Sequence, residues 1–277
     1  TSIRIGMSKI FKLGVIGNPI EHSLSPFIHS RFARYENISV DYIAYKVEED
    51  NFNEFINDFF ANSLSKGLNV TLPFKKHAAE IPGSLSEEAK FIKAVNTIIR
   101  HENRFLLDST DGKGFMEDLK SNKIDITGKN ILIYGAGGAV ESILYRIILD
   151  KPKSISIINR TQQKASRVVK KYQSNFQIES SINIEVDYDV VINGSSAGLT
   201  GAFIPPGKIK TNNKTCFYDL NYSLDKTPFC KWANHYSSNV FDGIGMLVNQ
   251  AAYSFQLWFD VFPETGKVLN DINSLKK

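Results

Sequence analysis

The sequence predicts a two-domain α/β protein whose second domain is doubly wound around a parallel sheet. Short apolar runs alternate with amphipathic segments, a glycine cluster joins a fully apolar run to a helical one, and no internal repeat appears. A chain of 277 residues allows one large domain or two ordinary ones, and 42% hydrophobic with 12% aromatic residues is enough for a packed core.

The first element is Ile10 to Ile16, a strand ended by Gly17-Asn18-Pro19. After Ser25-Pro26, the spacing of Phe27, Ile28 and Phe32 predicts a helix with proline in its first turn. Val40 to Val47 alternates as a half-buried strand does, and Phe52, Phe55, Ile56, Phe59 and Phe60 recur at three and four as a helix requires. Leu68 to Leu72 is a strand cut off by Pro73, followed by a helix over Ser86 to Lys93 and extended segments at Val95–Arg100 and Arg104–Leu107. This alternation predicts a mostly parallel sheet. A second unit opens after Asp111-Gly112, with strands at Asn130–Tyr134, Ser154–Ile158, Val190–Ile192, Thr215–Asp219 and Asn239–Phe241. Helices fall at Ala139–Leu149 and Gln162–Tyr172. From Met246 to Phe262, the stripe Leu247, Ala251, Phe255, Trp258 and Phe262 predicts a helix packed back on the first domain. The domains are therefore expected at 1–112 completed by 246–277, and at 113–245, with 1–8 an extension.

Lysines and arginines number 33 against 29 acids, leaving +4 spread along the chain, so neither a nucleic acid nor a membrane surface is an expected partner. Two cysteines, Cys216 and Cys230, are too few for a disulfide framework and point to a reducing compartment. The stretch Gly243–Phe259 is interrupted by Asn249, Gln250, Ser254 and Gln256, and the N-terminus lacks an apolar signal core. A cytoplasmic protein without a metal is expected, and composition is compatible with monomer and homodimer alike.

Gly135-Ala136-Gly137-Gly138-Ala139 follows a strand and opens a helix, the context in which glycines admit a pyrophosphate to backbone N–H groups and a helix dipole. The third glycine of the dinucleotide fingerprint is Val140 here. Where an NAD site places an acid after the next strand, this chain has Asn159-Arg160-Thr161, with Lys164 one turn on. Cations at a helix start are disfavoured unless an anion compensates, and an arginine with a lysine suits a 2′-phosphate, so NADP(H) is the expected cofactor.

Four polar clusters lie in loops of the first half: Gly17 to Pro26, with Ser23 and Ser25; Asn69 to Lys75, with Thr71; Ala94 to Thr97, with Asn96; and Asp108 to Phe115, with Asp111. Singly each has a structural explanation. Ser25 suits a helix cap, Lys75 a solvated lysine, Asp111 a turn. Together and in this order they resemble shikimate dehydrogenases, over residues 14–30, 67–76, 94–97, 110–115, 135–139, 159–161, 219–228 and 242–258. The block Asp242 to Ala252 is the most distinctive.

The resemblance implies reversible hydride transfer between NADPH and the C3 carbonyl of 3-dehydroshikimate, giving shikimate in the chorismate route to aromatic amino acids. Carried over by residue, Ser23 and Ser25 would contact the substrate carboxylate. Thr71, Asn96, Asp111 and Gln250 would hold ring hydroxyls, and Tyr222 would complete the pocket. Lys75 would be the acid/base group, paired with Asp111. Residues 135–139 and 159–164, Leu220, Gly243 and Glu87 would serve the cofactor, the domain 1–112 with 246–277 the substrate, and 113–245 NADP. The chain departs from the pattern at Ser109, usually asparagine, at Lys93 and Asp260, where glycine is common, and at Glu141, which replaces a frequent arginine. Two alternatives are an NAD-using quinate/shikimate dehydrogenase, opposed by Arg160 and Lys164, and a regulator without catalysis, opposed by retention of Lys75 and Asp111.

Overall fold

The computed structural model describes residues 9–174, 176–197 and 201–276; the extension read at 1–8 lies outside the described residues. Strand β1 (Phe11–Gly17) leads into α1 (Ser25–Tyr35), β2 (Val40–Lys46), α2 (Phe52–Ala61) and β3 (Ser65–Val70). Then follow a short α3 (Lys75–Ala78), β4 (Ser84–Leu85), α4 (Glu87–Ile92), β5 (Thr97–His101) and β6 (Arg104–Asp108). The sheet order is β2-β1-β3-β5-β6-β4. β1 is parallel to β2 and β3, but β5 is antiparallel to both β3 and β6. Among the described residues three of its five pairings are parallel, β4 with β6 included, as strand–helix alternation predicts, and the sheet is mixed because both pairings of β5 are antiparallel. Only Glu102 and Asn103 separate β5 from β6, and two residues can reverse a chain but cannot carry it back for a parallel return.

The second unit opens on α5 (Asp111–Ser121), a helix the apolar periodicity does not announce. It continues through β7 (Asn130–Tyr134), α6 (Gly138–Leu149), β8 (Ser154–Ile158), α7 (Gln162–Tyr172), β9 (Ile178–Glu179) and β10 (Val190–Asn193). Then come β11 (Cys216–Asp219), α8 (Pro228–Ala233), β12 (Val240–Phe241), α9 (Ile244–Phe259) and α10 (Thr265–Asn273). Its sheet runs β12-β11-β10-β7-β8-β9 with every pair parallel. The chain steps outward from β7 to β9, then returns beyond β7 to lay down β10, β11 and β12. That is double winding, with its switch point between β7 and β10. Near-continuous apolar runs such as Ile131–Ile133 and Val190–Ile192 are fully buried, as strands covered on both faces must be.

The first compact unit takes the chain to Thr110 and again over Ala251–Val268; the second takes Asp111–Gln250 and the chain from Leu269. The division falls within α9. Its Ala251, Phe255 and Trp258 are buried on the first unit, and the Trp258 indole N–H donates to the Ile98 carbonyl at 3.1 Å. Gly67 makes that possible: a Cβ there would collide with the indole. Phe262 lies beyond the helix, edge-on to Tyr253, because α9 stops at Asp260, which adopts φ 58°. Lys93, at the end of α4, adopts φ 56°. Both departures from glycine therefore occupy left-handed backbone.

Cys216 and Cys230 are free and buried, and burial pushes their thiols up to about 12 and about 11. Among the described residues no helix is long and apolar enough to cross a membrane.

Candidate active site

In the first unit the polar loops gather at one edge of the sheet. The edge comprises the carboxyl ends of β1, β3 and β6 and, because β5 runs the other way, its amino end. Backbone bonds lock the loops together: Asn18 N–H donates to Leu72 O at 3.0 Å, Val70 N–H to Asn96 O at 2.8 Å, and Val95 N–H to Lys75 O at 2.9 Å. Thr71, Lys75 and Asn96 are thereby neighbours although up to 25 residues apart in sequence. Lys75, half-buried, begins α3. Ser23 and Ser25 are joined directly, the Ser25 N–H donating to Ser23 Oγ at 3.2 Å. Ser25 does not cap α1: Leu24 holds that position and Ser25 is the first helical residue. Its hydroxyl is consequently not engaged as a cap.

Beneath this edge lies a buried polar network. The Tyr42 hydroxyl donates to Asn69 Oδ1 at 2.8 Å, and Asn69 Nδ2 donates to Ser254 Oγ at 3.0 Å and Asn96 O at 3.2 Å. Asn96 Oδ1 accepts from the Thr110 N–H at 2.9 Å and the Thr97 hydroxyl at 2.8 Å, while its Nδ2 donates to Thr110 Oγ1 at 2.9 Å. A satisfied network fixes where each polar loop leaves the sheet. The sequence reading takes Asn69 as the amide of its loop cluster and Ser254 only as a polar break in an apolar stretch, so what it misses is the bond between the two.

In the second unit the glycine loop turns at Gly135, with φ 106°, and passes so close to the β10 loop that a Cβ would lie 2.7 Å from the Gly194 carbonyl carbon. Gly137 is extended and leaves the start of α6 without a side-chain cap, and no described residue lies within 4 Å of where a Cβ would stand on Gly137 or Gly138. Gly135 and Ala136 are buried; Gly137, Gly138 and Ala139 are exposed. Bare N–H groups at the head of a 12-residue helix, with room before them, fit a pyrophosphate. Val140 stands in for the third glycine because the facing residue is Gly194, where a side chain would strike Val140. The small residue has moved to the other partner.

At the carboxyl end of β8, Asn159 Nδ2 donates to Thr161 O at 2.9 Å, and Arg160, Thr161 and Lys164 are exposed. Thr161 heads α7 without a side-chain cap. Two cations at an uncapped helix start fit a phosphate. Leu220 and Tyr222 follow β11, and Gly243 follows β12. Asp111 is buried at the start of α5, and Gln250 lies half-buried on α9, its Nε2 donating to Leu247 O at 2.9 Å. Glu87, in the first unit, is exposed in the first turn of α4, where a carboxylate favours the helix dipole.

Sequence reasoning also passed over Asp219. It is 1% exposed, accepting from Thr227 Oγ1 at 2.6 Å, Asn193 Nδ2 at 2.9 Å, Asn221 Nδ2 at 3.0 Å and Asn221 N–H at 3.1 Å. Burial raises its pKa against the pull of those donors.

Family models match in the same order as the elements. Residues 15–98 match the shikimate dehydrogenase substrate binding domain, 118–216 the shikimate / quinate 5-dehydrogenase domain, and 243–269 the shikimate 5′-dehydrogenase C-terminal domain. The NADP(+) shikimate dehydrogenase of Colwellia psychrerythraea is 39% identical over 268 residues, 95% of this chain and 96% of that protein. That of Hahella chejuensis is also 39% identical, over 92% and 96%. The crystal structure of shikimate 5-dehydrogenase from Thermus thermophilus in complex with NADP(H) and shikimate superposes with a TM-score of 0.84 at 26% identity, covering 96% of this chain and 99% of that one. With a glycine loop, a basic strand end and the loops of Ser23, Ser25, Thr71, Lys75 and Asn96 all inside the matched segments, this chain belongs to the shikimate dehydrogenase family.

Proposed function

We propose that this protein is an NADP-dependent oxidoreductase that interconverts 3-dehydroshikimate and shikimate, within the route to chorismate and aromatic amino acids. The observation that carries the reading is the shared sheet edge that assembles Ser23, Ser25, Thr71, Lys75 and Asn96 from separate loops. NADPH, when bound, supplies the hydride. The chain's own task is to bind a small polyol carboxylate and move a proton.

Ser23 and Ser25 take the carboxylate, the Ser23 hydroxyl oxygen being held against the Ser25 N–H. Thr71, Asn96, Asp111 and Gln250 sort the ring hydroxyls, with Tyr222 closing the pocket. A buried polar group left without its partner rejects an analogue lacking that hydroxyl. Lys75 gives a proton to the oxygen on which charge develops and recovers it in the oxidative direction, with Asp111 holding the amine. The N–H groups of 137–139 take the pyrophosphate, and Arg160 with Lys164 the 2′-phosphate. Asn159, Thr161, Leu220, Gly243 and Glu87 serve the rest of the cofactor site. The functional partition is 1–112 with 246–277 for substrate and 113–245 for NADP; the compact units differ from it at 111–112, 246–250 and 269–277. The protein works in the cytoplasm, as a monomer or homodimer.

Adding shikimate with NADP⁺ and following absorbance of reduced nicotinamide tests the reading; quinate and NAD⁺ are the comparison arms. Activity confined to quinate with NAD⁺ would overturn it.

A further inference from the structure

The second sheet divides at its switch point into two halves. One, β7-β8-β9, carries the glycine loop and Arg160. The other, β10-β11-β12, is available to the remaining half of a dinucleotide. In that second half a single residue ties all three strand-end loops. Asn221 Nδ2 donates to the Ser195 carbonyl after β10 at 2.9 Å and to Asp219 Oδ1 at the end of β11 at 3.0 Å. Its backbone carbonyl accepts from the Gly243 N–H after β12 at 3.0 Å. Its own N–H returns to Asp219 Oδ1 at 3.1 Å, and the next residue back, Leu220, donates to Asn193 O at 2.8 Å.

We infer that Asn221 is a positioning residue, a clasp that presents the loops of β10, β11 and β12 as one preformed surface to the nicotinamide half of NADP. This rests on the cofactor reading above. The argument is one of connectivity. Loops at strand ends are ordinarily independent and mobile, and a ligand that must order them binds less tightly. A side-chain amide with two hydrogens can satisfy two acceptors at once, and here the acceptors belong to different loops. The buried Asp219 carboxylate strengthens one of the bonds and anchors the clasp through Thr227 to the head of α8. Among the described residues the hydrogen bonds of Asn221 all go to the β10, β11 and β12 loops, and the approach to the other half is made by Gly194 and Ser195 against Gly135, so loss of the Asn221 side chain should fall chiefly on the nicotinamide end.

The test compares NADP⁺ with its fragment 2′,5′-ADP, by calorimetry, on wild type, Asn221→Ala and Asn221→Asp. The aspartate keeps the shape but removes the donor and sets a second acid against Asp219. Both variants should weaken NADP⁺ roughly tenfold or more while 2′,5′-ADP changes by less than about twofold. Equal weakening of both ligands, or unchanged NADP⁺ affinity, would overturn the inference. Amide hydrogen exchange on wild type decides the matter even if neither variant folds: NADP⁺ should slow exchange at Leu220, Asn221 and Gly243 and 2′,5′-ADP should not. Equal protection by both ligands counts against the clasp. Failure of wild type to bind NADP⁺ at all would instead remove the cofactor reading.

Discussion

Lys75 stands at the start of a four-residue helix, its carbonyl fixed by the Val95 N–H, and it is the residue proposed above to move the proton. Lys75→Ala should lower turnover by roughly 10²–10⁴-fold, the usual worth of a positioned proton donor, with NADPH affinity unchanged. Steady-state kinetics beside a binding titration checks it, and near-normal turnover would remove Lys75 from the reaction. Lys93 and Asp260 are among the residues that carry backbone cost. Both are exposed, at φ 56° and 58°, where a Cβ is disfavoured. Lys93→Gly and Asp260→Gly should each stabilise by about 0.5–1 kcal/mol after allowing for the greater freedom of unfolded glycine. Urea denaturation midpoints with unchanged slope report this directly; a lower midpoint for both would show that side-chain contacts, rather than backbone strain, set the cost.

At the scale of elements, the approach of α9 to β3 and β5 depends on absence of a side chain. Gly67 lies where Trp258 reaches the Ile98 carbonyl, and an added methyl meets both the indole and that backbone oxygen. Gly67→Ala should destabilise by about 2–4 kcal/mol, through overpacking together with the displaced hydrogen bond. Thermal unfolding and tryptophan fluorescence would register it. The hairpin of β5 and β6 shows a second rule of this scale. Period and composition identify two extended segments, but the two-residue connection decides their direction. Helix α5 shows the opposite weakness: Asp111-Gly112-Lys113-Gly114 is a poor helix opening by propensity, yet tertiary packing buries Phe115, Asp118 and Leu119 and secures it.

For the whole molecule, His29 couples folding to acidity. It is fully buried, stacked on Tyr42 with centroids 4.4 Å apart and set against Phe32, Phe255 and Trp258. Burial pushes its pKa down from 6.5 to about 3. Below pH 6.5 the unfolded chain therefore gains a proton that the folded chain refuses. Stability should fall as pH drops toward 3, by up to about 1.4 kcal/mol per pH unit, and this group should contribute no slope above 6.5. Denaturant titrations from pH 8 to 4 on wild type and His29→Leu would separate this from the carboxylates: the variant should show the shallower acid limb, and identical limbs would clear His29.

The sequence by itself determined the alternation of strands and helices and the glycine loop with its basic neighbour. These are legible because a turn, a helix head or an apolar period is written in adjacent residues. Only the tertiary structure decided that the first sheet is mixed, that Gly194 carries the space a third fingerprint glycine would have given, and that Asn69 with Ser254 underlies Asn96. It also decided that Asn221 joins three loops. Each of these depends on partners distant along the chain, and a hydrogen bond or a close approach between such partners exists only once the strands that carry them have paired.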